Sequence, residues 1–175
     1  MKKMLIKPDA FELNDLQLLI KNSTHQTLAM WALDCAKELL TLFELDYKAD
    51  DRPRNAIDKG YLWAAGMIKM PEAKKAILEA HQSATEHQDN LVACAMARAI
   101  AQGVSTIHVR THAIGIVIYG ITAFIRQKPS MDPRDIIKEK VLWFYQKLLY
   151  WQNHVSDVST WAPFLLKEEK NKEEL

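Results

Sequence analysis

Ala113-Ile114-Gly115-Ile116-Val117-Ile118-Tyr119-Gly120-Ile121-Thr122-Ala123-Phe124-Ile125 decides the fold. Its middle, Ile114 to Tyr119, is rich in β-branched residues and has the composition of a strand. The run nevertheless continues past ordinary strand length, and no other segment offers a strand to pair with it. A buried central helix is the consistent reading. This is also the longest uncharged apolar run of the chain, bounded by Arg110 and Arg126. It falls short of the ~20 residues that a membrane-spanning helix needs.

The flanking segments read as helices too. Upstream, Asp89 or Asn90 can cap a helix that Gly103 ends. Ala93, Cys94, Ala95, Met96, Ala97 and Ala99 make it apolar nearly all round, so it belongs at the centre, and its alanines let neighbours approach closely. Ser105 is expected to cap the helix that follows. Downstream, Asp132-Pro133 supplies a capping carboxylate and a first-turn proline, followed by a stripe at Ile137, Val141, Phe144, Leu148 and Trp151. Pro71 opens a helix with the stripe Ala73, Ala76, Ile77, Ala80 and Ala84. Pro53 opens one carrying Ile57, Tyr61 and Ala64, with Gly66 as its stop. Ser23 and Gln26 fit a capping box for a helix running to about Phe43, and a first helix spans Phe11 to Lys21. The sequence thus predicts an all-α single compact bundle of about seven helices around a buried alanine-rich one. It reads as one domain over residues 1–175. Trp161, Phe164 and Leu165 would dock a short last element, and Lys167 to Leu175 would be a frayed charged tail.

Composition narrows the function classes. Hydrophobic residues are 49% and charged residues 26% of the 175, as in a globular chain rather than a disordered one. The formal net charge of +1 implies no nucleic-acid partner. Cys35 and Cys94 form no paired-cysteine motif and read as small buried hydrophobes in a reducing compartment. The start Met1-Lys2-Lys3-Met4-Leu5-Ile6-Lys7 lacks an apolar signal region, so the expected location is the cytoplasm, without membrane association.

Candidate chemistry is sparse. His108 and His112, four apart, can share one helix face, which is half of a zinc or iron site. The zincin pattern places a glutamate after its first histidine, and Val109 stands there instead. A metal set would need His81, Asp34 or Asp58 from elsewhere. The plainer reading is that His81, His108 and His112 bond neighbouring helices. His25 and His87, near helix ends, suit surface or capping roles. Asp51, Arg52, Arg54 and Asp58 form the densest charge group, either an anion site or a brace at a helix entry, with Arg54 paired to Asp58 or Asp34. Arg98 stands among apolar residues and calls for an acid partner, with Asp34 and Asp58 as candidates. Asp34, Asp51, Arg52, Arg54, Asp58 and Arg98 are therefore read as a structural charge network. No serine sits in a hydrolase-type elbow, and the glycines never cluster into a phosphate loop, so neither catalytic residues nor a cofactor are expected. Trp143 and Tyr150, seven apart, either lie under the C-terminal segment or form a partner-binding patch.

Taken in order, Trp31-Ala32, Cys35-Ala36, Leu39-Leu40, Asp51-Arg52-Pro53-Arg54-x-Ala56-Ile57, Trp63, Ala80-His81 and Thr106-x-His108-x-x-x-His112-Ala113 resemble a family of bacterial immunity proteins. It is the group similar to the fifth immunity family of polymorphic toxin systems, and the resemblance covers residues 24–120. It implies an all-α domain, a protein toxin as partner, and protection of the producing cell, and it assigns no catalytic residues. The first functional expectation is neutralisation of a cognate toxin by stoichiometric binding. The alternatives are a metal-dependent enzyme or metal sensor using His81, His108 and His112, and an oligomeric structural protein built from copies of this chain.

Overall fold

In the computed structural model, residues 4–167 are described. The decisive run is α-helical throughout. Seven α-helices follow in order: α1 (Asn14–Asn22), α2 (His25–Tyr47), α3 (Arg52–Ala64), α4 (Met70–Glu86), α5 (Leu91–Ser105), α6 (Ala113–Gln127) and α7 (Pro133–His154). Short 3-10 turns stand at Phe11–Leu13, Arg110–His112, Val155–Asp157 and Pro163–Leu166. Among the described residues there is no strand, and no helix is long and apolar enough to cross a membrane. The chain is a compact all-α bundle. The charged tail expected at the C-terminus lies, beyond Lys167, outside the described residues, as do the first three residues of the expected N-terminal start.

α5 is the central helix. It packs on α2, α3, α4 and α6, and Ala93, Ala95, Ala97, Ala99 and Ala101 are all buried. Asn90 caps it by accepting from the backbone N–H groups of Val92 and Ala93 at 3.1 Å each. Gly103 does not end α5, contrary to expectation. It lies inside the helix where α5 presses on α2. A Cβ there would stand 3.1 Å from the Ala32 carbonyl oxygen and 2.7 Å from Ile116 Cδ1. Absence of a side chain is needed here for close helix approach rather than for a stop.

Ser105 likewise does not cap α6. Its hydroxyl donates back to the Ala101 carbonyl at 2.7 Å, which keeps it inside α5. A turn and the 3-10 segment Arg110–His112 then separate the two helices. The α2 start is shifted by one residue as well. Thr24, not Ser23, is the cap, accepting from the Thr27 N–H at 3.1 Å. Ser23 instead donates to the Leu19 carbonyl and accepts from Gln152 of α7.

α7 lies against α1, α2 and α6. The buried Trp31 ring of α2 donates from Nε1 to the Phe144 carbonyl at 3.0 Å and meets the Phe144 ring edge-on. That bond satisfies the indole while its ring fills the core. The C-terminal segment leaves α7 and crosses to the far end of α3. There the Ala162 N–H donates to the Ala64 carbonyl at 2.7 Å, Leu165 is buried, and Phe164 packs on Trp63 and His25.

Candidate functional site

Three polar groups interrupt the apolar bundle. The first closes the turn between α2 and α3. Asp50 accepts both prongs of the Arg52 guanidinium, from Nε and Nη2 at 2.8 Å each. Its Oδ2 also accepts from Ser83 Oγ at 2.6 Å and from His87 Nε2 at 2.9 Å. Arg52 continues to Glu86 at 2.7 Å. One carboxylate therefore fastens the entry of α3 to the last turn of α4. Burial alone would push the Asp50 carboxyl up, but the bonds from Arg52, Ser83 and His87 outweigh it and hold the group well below the usual carboxylate range. The Arg52 guanidinium is correspondingly held more firmly protonated by Asp50 and Glu86.

The second group ties α2 to α7. Asp34 accepts from Lys147 Nζ and from Trp151 Nε1, both at 3.0 Å, and Lys147 also reaches Glu38. Burial would lower the Lys147 ammonium, but Glu38 and Asp34 outweigh it and raise it. Cys35 lies beneath this group, and burial pushes its thiol well up, so it stays protonated and inert.

These placements redistribute the charges read from sequence. Arg54 pairs with Glu44, Nε to Oε1 at 2.8 Å, rather than with Asp58 or Asp34. α2 runs on to Tyr47, beyond the end expected near Phe43, and this brings Glu44 beside Arg54. Asp58 is exposed, and Asp34 faces α7. Asp51 is exposed and makes no cap bond, while its neighbour Asp50 carries the turn.

The third group lies between α4, α5 and the 3-10 segment before α6, and it contains Arg98. The acid partner expected for Arg98 is not there. Asp34 is occupied by α7 and Asp58 faces outward, so half-buried Arg98 makes no hydrogen bond or ion pair among the described residues. Its titratable neighbour is His81 of α4. His108 and His112 complete the group, with ring centroids 6.1 Å apart. They do not share a helix face: His108 is in the turn after α5 and His112 in the 3-10 segment, because α5 ends at Ser105 and α6 begins at Ala113. His112 Nδ1 is 2.7 Å from Gln102 Oε1. An amide oxygen only accepts, so His112 donates from Nδ1 and keeps Nε2 for another partner. A Cβ on Gly115 would lie 2.6 Å from that same amide oxygen, so the bare backbone of α6 lets Gln102 reach His112. His108 Nδ1 is buried and has no hydrogen-bond partner among the described residues.

The charges felt in this group are all of one sign. Burial, then Arg98 and His112, lower the His81 imidazole; burial, then His112, Lys74 and His25, lower His108; burial lowers His112. The set His81, His108 and His112 is thus brought into one neighbourhood, but among the described residues no three His, Cys, Asp or Glu side chains stand where they could hold a metal ion. His25, expected near the surface, is buried and donates from Nε2 to the Thr106 carbonyl at 2.8 Å, which pins the turn carrying His108. Gln102 and Lys74 were not singled out from sequence. Their signal is spacing: Gln102 is one turn after Arg98, and Lys74 is two turns before His81.

Trp143 and Tyr150 lie on the outer side of α7, and the C-terminal segment, as far as it is described (to Lys167), packs at the far end of α3. Tyr150 is 51% exposed and stacks on His154 at 3.9 Å. Trp143 is half-buried and borders an open groove of about 370 Å³ shared with Glu38, Leu42, Phe124 and Lys140.

These elements define a small all-α bundle with polar clusters of arginine, histidine and aromatic side chains on several faces. Comparison with known families supplies the identity: the chain belongs to the family described as Imm-5 like putative immunity protein, which matches residues 18–149. No curated protein and no solved structure matches it.

Proposed function

We propose that this chain, acting as a single helical domain in the cytoplasm, neutralises a cognate bacterial protein toxin by stoichiometric binding rather than turnover. The observation that carries the reading is membership of an immunity-protein family over residues 18–149. A toxin has to stay sequestered, so slow release is required, with an affinity on the order of nanomolar or better. Tyr150 and Trp143 are the proposed apolar anchors, since aromatics with one open face dominate binding energy at interfaces. The exposed Leu142 and Leu149 extend the same helix surface.

The test is co-expression with the toxin encoded in the adjacent reading frame. Rescued growth and a one-to-one complex by light scattering are expected. Tyr150→Ala should weaken that complex by roughly 2 kcal/mol, about thirtyfold. Protection that persists when the protein is far scarcer than the toxin would show turnover and defeat the proposal.

A further inference from the structure

We propose that Arg98, His81 and His112, with Lys74 and His108 at the border, form a carboxylate-binding site that takes an acidic side chain of the protein partner. The partner half of this inference rests on the function proposed above; the site itself rests on geometry. Arg98 is a half-buried guanidinium with no acid partner among the described residues. Every other cation of the bundle's two closed networks is matched: Arg52 by Asp50 and Glu86, and Lys147 by Asp34 and Glu38. Here, among the described residues, the charged groups that act on His81 and His108 are all cationic. α4 contributes Lys74 and His81, α5 contributes Arg98 and uncharged Gln102, the α5–α6 connection contributes His108 and His112, and α2 contributes His25. Arg110, in the same connection, is turned away to the carbonyls of Lys21 and Ser23.

The site is also partly preorganised. Gln102 fixes the His112 tautomer with Nδ1 donating, and His25 fixes the backbone under His108. A planar guanidinium accepts a carboxylate on two parallel N–H bonds, and neighbouring imidazoles add donors when they take up a proton. One fixed guanidinium with one border ammonium, beside imidazoles held neutral near pH 7, suits a monoanion better than a phosphate dianion. Entry of a carboxylate supplies the missing negative charge, so it should raise the proton affinity of His81 and His112, and binding should tighten as pH falls from 8 to 6. Neither α4 nor α5 is among the main packing partners of α7, so this contribution can be measured apart from that of Tyr150.

The experiment uses the full chain and histidine nitrogen-15 NMR. Sodium acetate is titrated against sodium chloride at matched ionic strength. Saturable shifts at His81 and His112 are expected, with their midpoints raised by about half a pH unit. Arg98→Gln should weaken the acetate response about tenfold and Arg98→Lys should retain part of it. If Arg98→Gln fails to fold, Lys74→Gln on the exposed border carries the same comparison. Shifts that are identical in acetate and chloride overturn the site. The second arm measures binding of the polypeptide encoded in the adjacent frame. Arg98→Gln should weaken it at least tenfold, and more at pH 6 than at pH 8. A complex that forms equally well with wild type and Arg98→Gln defeats the partner assignment alone and leaves a site for free carboxylates. No complex with wild type defeats the proposed function and the partner assignment together, while the acetate arm still decides the site.

Discussion

Asp50 and Arg98 occupy comparable ground, each partly buried beside α4 and each next to histidine, yet their surroundings are opposite. Around Asp50 every charge is answered: Arg52, Ser83 and His87 converge on it, and Glu86 takes the remaining reach of Arg52. Around Arg98 no hydrogen bond or ion pair forms among the described residues, and the charged groups acting on the neighbouring His81 and His108 are cationic. A closed network spends its hydrogen-bonding capacity on the fold. An open one of the same size keeps it for something outside the chain. The difference separates a brace from a binding site more reliably than residue type does, because both groups contain arginine and histidine.

The largest effect should come from opening the closed network. Asp50→Ala removes the acceptor of three side chains and strands Arg52 beside Glu86 alone. Hydrogen bonds to a charged group are worth about 1.5–3 kcal/mol, so a loss of roughly 2–3 kcal/mol is expected. For a chain of this size that is on the order of 5–10 °C in Tm, measurable by calorimetry. Because the folded Asp50 carboxyl is held below its unfolded value of about 4, its stabilisation is present above that pH and fades as pH falls below it. The variant should therefore lose part of the acid-side slope seen in the wild type. An unchanged Tm would place the brace elsewhere.

The open cluster should respond to pH in a different window. His81, His108 and His112 are all lowered in the folded chain, first by burial. The unfolded chain then binds more protons below about 6.5, so the stabilisation from keeping these rings neutral is present above that pH and is lost as pH falls through it. The loss should accumulate between pH 7 and pH 5, and solvent screening of these half-buried rings keeps it smaller than the effect of Asp50→Ala. Chemical denaturation across that range should show it, and the double variant His81→Gln/His112→Gln should flatten it. A wild-type curve already flat from 7 to 5 would mean the rings are not held neutral.

Arg98→Met sharpens the contrast from the other side. It keeps the aliphatic stem while deleting a charge that has no partner, so stability should move by no more than about 0.5 kcal/mol, in either direction. A drop comparable to that of Asp50→Ala would reveal a hidden acid partner and close the network.

How much of this was legible in the sequence follows the same divide. Helices came through because apolar periodicity and caps are local: Asp132-Pro133, Pro53 and Asn90 mark the starts they were read to mark. Even the strand-like Ile114–Tyr119 read as helix on length and lack of a partner. Boundaries failed where tertiary contact overrides local signal. Gly103 reads as a stop until Ala32 is seen against it, and α2 outruns Phe43. Charge partners failed for the same reason. Arg54 finds Glu44, and Asp34 finds Lys147 and Trp151, across distances in sequence that no spacing rule encodes. Arg98 was legible as anomalous, but an unanswered charge can be recognised only once every neighbour is placed.

The smallest change tests how finely the open cluster is built. Gly115→Ala adds one methyl group where Gln102 Oε1 would lie 2.6 Å away. In the first turn of α6 the replacement should gain less than the ~1 kcal/mol of backbone propensity seen in a helix interior. Displacing the amide takes back a similar amount, since the hydrogen bond to His112 is lost. Net stability should therefore barely move. The consequence should appear in His112: freed from Gln102, its Nδ1 proton is no longer held, and both tautomers become populated. Nitrogen-15 NMR distinguishes the two directly, as a shift of Nδ1 away from the protonated position with the fold otherwise intact. A His112 that keeps its Nδ1 proton in Gly115→Ala would show that something other than Gln102 orients the ring, and the preorganisation claimed for the site would fall with it.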